Sequence, residues 1–361
     1  MKPTRINVVA GARAYQVQIG SGLLSRLDAL VRDAVPAGRR FIVSNPTVWR
    51  SHGPAITTGL PGAEPILIPD GERFKTVQTV GKIYEALIRA GADRQTTLVA
   101  IGGGVVGDVA GFAAATFLRG VEIVHVPTTL LGQVDSAIGG KVGVNHALGK
   151  NLIGAFYPPA AVIVDPELLN TLPRREFRAG LYEVVKYGMI ASRDLFDRVA
   201  RDLADLFSRS TRALRPVITE CCRIKASVVQ ADERETGSRR TLNFGHTVGH
   251  ALEAVTKYRR FRHGEAVGYG MLAAADIAER RHVLASADRK TLADLIAHMG
   301  PLPSVTDLSS QQVIEAITRD KKVVAGTLHV VLPSAIGRTT IVDDVTTRQL
   351  DRALTRLGLR T

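Results

Sequence analysis

A chain of 361 residues with 45% hydrophobic side chains has enough apolar surface for two cores, which excludes a disordered or fibrous protein. Its two cysteines, adjacent at Cys221 and Cys222, form neither a disulfide framework nor a metal motif, and they fit a reducing cytoplasm. The net charge of +13 suits nucleic acid, an anionic membrane surface or an acidic substrate, but the arginines at 193, 198, 201, 209, 212 and 215 are interleaved with acids and lack aromatic partners, so they read as solvated helix faces and not as a nucleic-acid surface.

From its first residues the chain alternates apolar and polar side chains without a long apolar run, so no signal peptide is predicted. Apolar, β-rich runs at 15–19, 41–44, 65–68, 97–101, 122–126 and 161–164 alternate with helical patterns, which predicts a largely parallel α/β sheet. Residues 98–118 are nearly uncharged and long enough to span a bilayer, yet Asp108 and five glycines break that reading. A strand, a glycine turn and a buried helix account for the same stretch. After Pro173 the texture turns to long amphipathic segments at 174–190, 193–207, 214–231 and 246–255, so a mostly helical second domain is expected, with the division taken as 1–175 and 176–361. A late pattern at 329–332 and 339–342, around a turn at 334–337, predicts a hairpin.

Several short motifs carry chemistry. The run Gly102-Gly-Gly-Val-Val-Gly-Asp108 follows a strand and opens a helix, so Gly102, Gly104 and Gly107 satisfy the dinucleotide spacing; a tight turn packing helix on sheet explains it equally simply. The Asp70-Gly-Glu-Arg-Phe-Lys75 turn and Thr128-Thr129 both follow strands, where ligands of open α/β sheets bind. Lys141 and Lys150 lie on glycine-bearing turns and suit a phosphate or carboxylate, as does Arg119. Glu183, Lys186 and Tyr187 share one helical face, which is consistent with a surface ion pair as well as with a site. His246 and His250 stand one turn apart and suit a divalent ion, although Thr247 replaces the glutamate of a metalloprotease and helical packing is the plainer alternative.

Taken in order, the blocks Gly102-Gly-Gly-Val-Val-Gly-Asp108, Val126-Pro-Thr-Thr-Leu-Leu131, Val134-Asp-Ser-Ala-Ile-Gly-Gly-Lys141, Gly149-Lys-Asn-Leu-Ile-Gly154, Glu183-Val-Val-Lys186, Leu242-Asn-Phe-Gly-His-Thr-Val-Gly-His250 and His263-Gly-Glu265 resemble the 3-dehydroquinate synthases, sugar phosphate cyclases of the shikimate pathway. The resemblance implies a Rossmann-like N-terminal NAD-binding domain, a mostly α-helical C-terminal domain binding metal and substrate, a homodimer, NAD, and one zinc or cobalt ion. It places the metal on Glu183, His246 and His263. NAD contacts fall on Asp70, Gly71, Glu72, Arg73, Phe74 and Lys75, on Gly104, Val105, Val106, Gly107 and Asp108, on Thr128, Thr129, Lys141 and Lys150, and on Leu168, Leu169, Asn170 and Thr171.

Substrate groups implied in the same way are Asp135, Lys141, Lys150, Asn151, Lys186, Lys225, Arg239, Asn243 and the proton-relaying His250, with one of Lys321 and Lys322, and with Arg119 reaching the phosphate across the dimer. Asn45 departs from the pattern, since some members carry an aspartate there that faces the adenosine ribose. The implied reaction turns 3-deoxy-D-arabino-heptulosonate 7-phosphate into 3-dehydroquinate and phosphate by transient oxidation, β-elimination, reduction and intramolecular aldol closure. The competing readings are another sugar phosphate cyclase, making an inosose or a valiolone, and a metal-dependent alcohol dehydrogenase of the glycerol dehydrogenase type. A nucleic-acid-binding protein would leave the glycine and histidine blocks unexplained. No membrane partner is expected.

Overall fold

The computed structural model describes residues 3–11, 13–35, 37–235, 237–323 and 328–361, with the backbone alone at 320–323. In chain order the strands and helices are β1 (Thr4–Ala10), β2 (Arg13–Ile19), α1 (Leu27–Ala34), β3 (Arg40–Ser44), α2 (Pro46–Gly59), β4 (Glu64–Leu67), α3 (Val77–Arg89), β5 (Thr97–Gly102), α4 (Gly104–Thr116), β6 (Glu122–Pro127), β7 (Lys141–His146), β8 (Gly149–Phe156) and β9 (Ala161–Val164). There follow α5 (Arg174–Ala191), α6 (Arg193–Arg201), α7 (Leu203–Phe207), α8 (Thr211–Ala231), α9 (His246–Val255), α10 (His263–Arg280), α11 (Ser286–His298), α12 (Ser310–Val323), β10 (Val330–Ala335), β11 (Arg338–Val342) and α13 (Thr347–Arg356). The Lys321–Lys322 pair closes α12, and its side chains lie outside the described residues.

Two compact units result: Met1–Pro173 with Arg209–Arg234, and Arg174–Ser208 with Glu235–Thr361. The first is built on a seven-stranded sheet in the order β1-β2-β9-β6-β5-β3-β4, parallel except for the β1–β2 pair. Strand β5 is buried at every position, as a central strand covered on both faces must be. The period of two splits the core: Phe41, Val43, Leu98 and Ala100 pack with α3 and α4 residues such as Ile83 and Val109. Their neighbours Ile42, Val99 and Ile101 pack on the other face with Leu27, Leu30 and Ile56 of α1 and α2. Helices on both faces of a mostly parallel sheet make this a doubly wound, Rossmann-like unit.

Helix α8, whose amphipathic pattern resembles the helical half, belongs to this first unit. Arg215 Nη2 donates to Thr4 Oγ1 at 3.1 Å and Cys222 Sγ donates to the Gln133 carbonyl at 3.3 Å. An apolar stripe states that a face is buried and leaves the partner open. The segment expected as one helix at 193–207 is instead α6 and α7, separated at Asp202. The second unit is largely helical, with the expected hairpin formed by β10 and β11. Among the described residues no helix is long and apolar enough to cross a membrane.

Candidate active-site residues

In the first unit the glycine run sits where β5 passes into α4. A Cβ on Gly102 would stand 2.6 Å from Val106, and one on Gly103 would stand 2.9 Å from Thr129, so these positions must stay bare. Gly107 differs, because its Cβ would meet only His125 at 3.6 Å. Around this turn the separate motifs join into one polar network. Lys75 is buried, pairs with Asp108, and donates from Nζ to Asn151 Oδ1 at 2.5 Å. Burial drives the Asp108 carboxyl upward, and the Lys75 ammonium opposes the shift. Glu72 Oε1 accepts from Asn145 Nδ2 at 2.8 Å and lies 3.9 Å from Lys150 Nζ. Asn145 also accepts the Asn151 backbone N–H at 3.0 Å, although no motif singled it out.

The lysines expected on turns lie on strands: Lys141 opens β7 and Lys150–Asn151 belong to β8, in a two-stranded antiparallel hairpin. Asn151 holds a left-handed φ of 55°, which asparagine tolerates better than most residues. Thr128 N–H donates to the Gly102 carbonyl at 2.9 Å, and Thr129 Oγ1 accepts the Gly132 N–H at 3.0 Å. Asp135 lies on a π-turn, Gly132–Ser136, and pairs with Lys225 of α8. Asn45 caps α2 by accepting the Val48 N–H at 2.8 Å, and its Nδ2 donates to Asp70 at 3.2 Å. The Thr171 hydroxyl is 2.8 Å from His52 Nε2. The side chains of Val106, Leu168 and Leu169 are buried in the core, so only their backbones are left to face a nucleotide. Arg119 is exposed at a left-handed corner, with φ of 49° at Leu118 and 70° at Arg119.

In the second unit Glu183 of α5, His246 at the start of α9 and His263 at the start of α10 converge. His263 Nε2 lies 3.4 Å and His246 Nε2 3.8 Å from Glu183 Oε1. Tetrahedral zinc, with bonds of about 2.0–2.1 Å, sets neighbouring donors roughly 3.3 Å apart, so this set fits a divalent ion. Both rings present Nε2 because Nδ1 is occupied: that of His246 lies 3.1 Å from the Phe244 carbonyl, and that of His263 lies 3.2 Å from Glu253 Oε2. Burial takes His246 well below its ordinary range and keeps it neutral, against the pull of Glu183. Burial would lower His263 too, but the hydrogen bonds its ring donates to the Glu183 and Glu253 carboxylates hold it at about 10.

The motif His263-Gly-Glu265 explains how α10 reaches α5. A Cβ on Gly264 would lie 1.8 Å from the Ala179 carbonyl oxygen, one turn before Glu183, so only glycine permits the approach. Glu265 is fully buried and takes Arg175 in a bidentate pair at 2.8 and 2.7 Å, with Arg178 at 3.1 Å. Lys186 Nζ is 2.5 Å from Glu183 Oε2, and both are buried, so the pair expected as surface or site is an interior one. The His250 ring lies 5.1 Å from that of His246 and 5.8 Å from that of His263, so distance alone gives it the standing of a third imidazole donor. Arg239 is buried, and Asn243 Nδ2 donates to Glu235 Oε1 at 2.6 Å.

A Rossmann-like sheet unit and a largely helical unit in one chain make the fold of the sugar phosphate cyclases, and dehydrogenases of much lower identity have the same fold. A protein of Sinorhizobium meliloti described as a probable glycerol dehydrogenase shows that fold at a TM-score of 0.66 and 18% identity, over 95% of this chain and 96% of its own. Among proteins of this fold, the chain belongs to the 3-dehydroquinate synthase family: the model for the N-terminal part of those enzymes matches residues 65–179 and that for the C-terminal part residues 180–323. The 3-dehydroquinate synthase of Pelotomaculum thermopropionicum is 46% identical over 93% of this chain and 92% of its own, and that of Koribacter versatilis 43% over 98% of each. Among solved structures, the 2-epi-5-epi-valiolone synthase of Streptomyces hygroscopicus, with NAD+ and Zn2+ bound, superposes at a TM-score of 0.88 with 29% identity, covering 98% of this chain and 99% of that one. A 2-deoxy-scyllo-inosose synthase complexed with carbaglucose-6-phosphate, NAD+ and Co2+ gives 0.86 at 29% identity, with the same coverage.

Proposed function

We propose that the protein converts 3-deoxy-D-arabino-heptulosonate 7-phosphate into 3-dehydroquinate and phosphate, as an NAD- and metal-dependent lyase of the shikimate pathway. The observation that carries the reading is the convergence of Glu183, His246 and His263 from three helices at donor spacings of 3.4 and 3.8 Å, in a chain that matches the family through both halves. When bound, a zinc or cobalt ion would supply Lewis acidity at the substrate hydroxyl to be oxidised, and NAD would supply a reversible hydride acceptor.

The remaining work falls to side chains. Glu183, His246 and His263 hold the metal, with Lys186 neutralising the second carboxylate oxygen of Glu183. The network of Glu72, Lys75, Asp108 and Asn145 holds the glycine turn ready for the nucleotide, and the Asp70 carboxylate, bound by Asn45 and by Thr47 at 2.8 Å, replaces the missing aspartate at the ribose. Lys150, Asn151, Lys225 and Arg119 stabilise the departing phosphate, while Arg239 and Asn243 take the carboxylate and hydroxyl end of the substrate. His250 carries the proton. The working form is a cytoplasmic homodimer in which the exposed Arg119 serves the neighbouring subunit.

The deciding assay follows phosphate and cyclised product with the heptulosonate phosphate, glucose 6-phosphate and glycerol in parallel. Phosphate release from the first alone, without accumulation of NADH and abolished by chelation or by Glu183→Ala, is the expected result. Steady NADH formation from glycerol, or turnover of glucose 6-phosphate instead, would overturn it.

A further inference from the structure

Helix α9 carries His246, His250 and Glu253 at i, i+4 and i+7, so the three side chains leave one face. Glu253 has a side chain only 6% exposed, and its Oε2 lies 3.2 Å from His263 Nδ1 on α10. A carboxylate so deeply placed needs a charged or hydrogen-bonding counterpart, and the imidazole N–H supplies it. The two histidines are supported differently, because His246 rests on the neutral carbonyl of Phe244. The charge around the centre is also uneven: the Lys186 ammonium beside Glu183 offsets that carboxylate, so the set facing a dication is close to neutral without a second anion.

We propose that Glu253 is the positioning residue of the metal centre. It accepts the Nδ1 proton of His263, fixes the tautomer and ring plane that turn Nε2 toward Glu183, and adds the negative charge that raises the donor strength of that ring toward a divalent cation. The inference rests on reading Glu183, His246 and His263 as metal ligands.

The test uses the full chain stripped of metal and titrated with Co2+, followed by the visible absorption of the bound ion, for wild type, Glu183→Ala, Glu253→Gln and Glu253→Ala. Glutamine keeps the volume and the acceptor oxygen and loses only the charge. The expected loss in Co2+ affinity is about 10-fold for Glu253→Gln and toward 100-fold for Glu253→Ala, with a shifted absorption band in both. If the alanine variant does not fold, the glutamine variant decides. Wild-type affinity and an unchanged band in Glu253→Gln would show that the residue only fills space, and would overturn the proposal. Wild-type protein that binds no Co2+, or binds it equally after Glu183→Ala, would instead sink the metal reading, and this inference with it.

Discussion

Gly264 is the smallest residue with the largest consequence for the metal centre. Replacing it with alanine puts a methyl group 1.8 Å from the Ala179 carbonyl oxygen, and ordinary contact near 3.5 Å requires the two helix backbones to part by more than about 1 Å. The methyl carbon is fixed by the backbone of residue 264 and the oxygen belongs to the backbone of Ala179, so no rotamer relieves the clash. His263 is the neighbouring residue, and its spacing to Glu183 Oε1, 3.4 Å and so close to the roughly 3.3 Å that a tetrahedral ion spans, opens by a comparable amount, too far for one ion to bridge. Alanine also gains helix propensity of at most about 1 kcal/mol, which is smaller than the overpacking cost of about 1–3 kcal/mol. Gly264→Ala should therefore lower unfolding stability in urea by roughly 1–2 kcal/mol and weaken Co2+ or Zn2+ binding by at least about 10-fold. A variant with wild-type midpoint and metal affinity would refute the claim that this glycine sets the approach of α10 to α5.

Two further predictions concern pH. Burial lowers His125 to about 4, below its unfolded value near 6.5, so the fold favours the neutral ring; this stability is complete above about pH 6.5 and is lost as pH falls toward 4. The stability difference between wild type and His125→Gln should change by roughly 2–3 kcal/mol in favour of wild type between pH 4.5 and 7.5, and parallel urea curves at both would refute it. His263 behaves in the opposite sense: its pKa is held at about 10, so in metal-stripped protein the charged ring adds stability that is complete below about pH 6.5 and fades as pH rises through 10. Metal binding at pH 7.5 should then release about one proton per ion, read by calorimetry in buffers of different ionisation enthalpy, and no release would refute the assignment.

Local pattern was sufficient for the elements that bury themselves by simple periodicity. The β5 strand with its glycine turn, α5, α9 and the late hairpin lie where alternation and helical spacing placed them. The β7–β8 hairpin escaped because glycines, a lysine and an asparagine interrupt its alternation, and its pairing rests on register with a partner strand. Asp202 divides 193–207 through local backbone geometry that no periodic pattern records.

The donor types of the candidate site were readable as residue chemistry. Carboxylate, imidazole and lysine at motif spacing mark metal and anion binding wherever they occur, and the order of the blocks marked the family. Residue spacing left open which of them meet; the family resemblance named Glu183, His246 and His263 together, and packing brings them within reach. His246 and His250 looked like a pair on one helix, yet Glu183 and His263 arrive from two other helices, brought in by a glycine that lets backbones touch. Glu253 and Asn145 went unseen for the same reason: a supporting residue has no spacing of its own, since what it supports lies on another element. A sequence specifies chemistry residue by residue, whereas coordination and hydrogen bonding across elements act over a few ångströms and exist only once the helices and strands have packed.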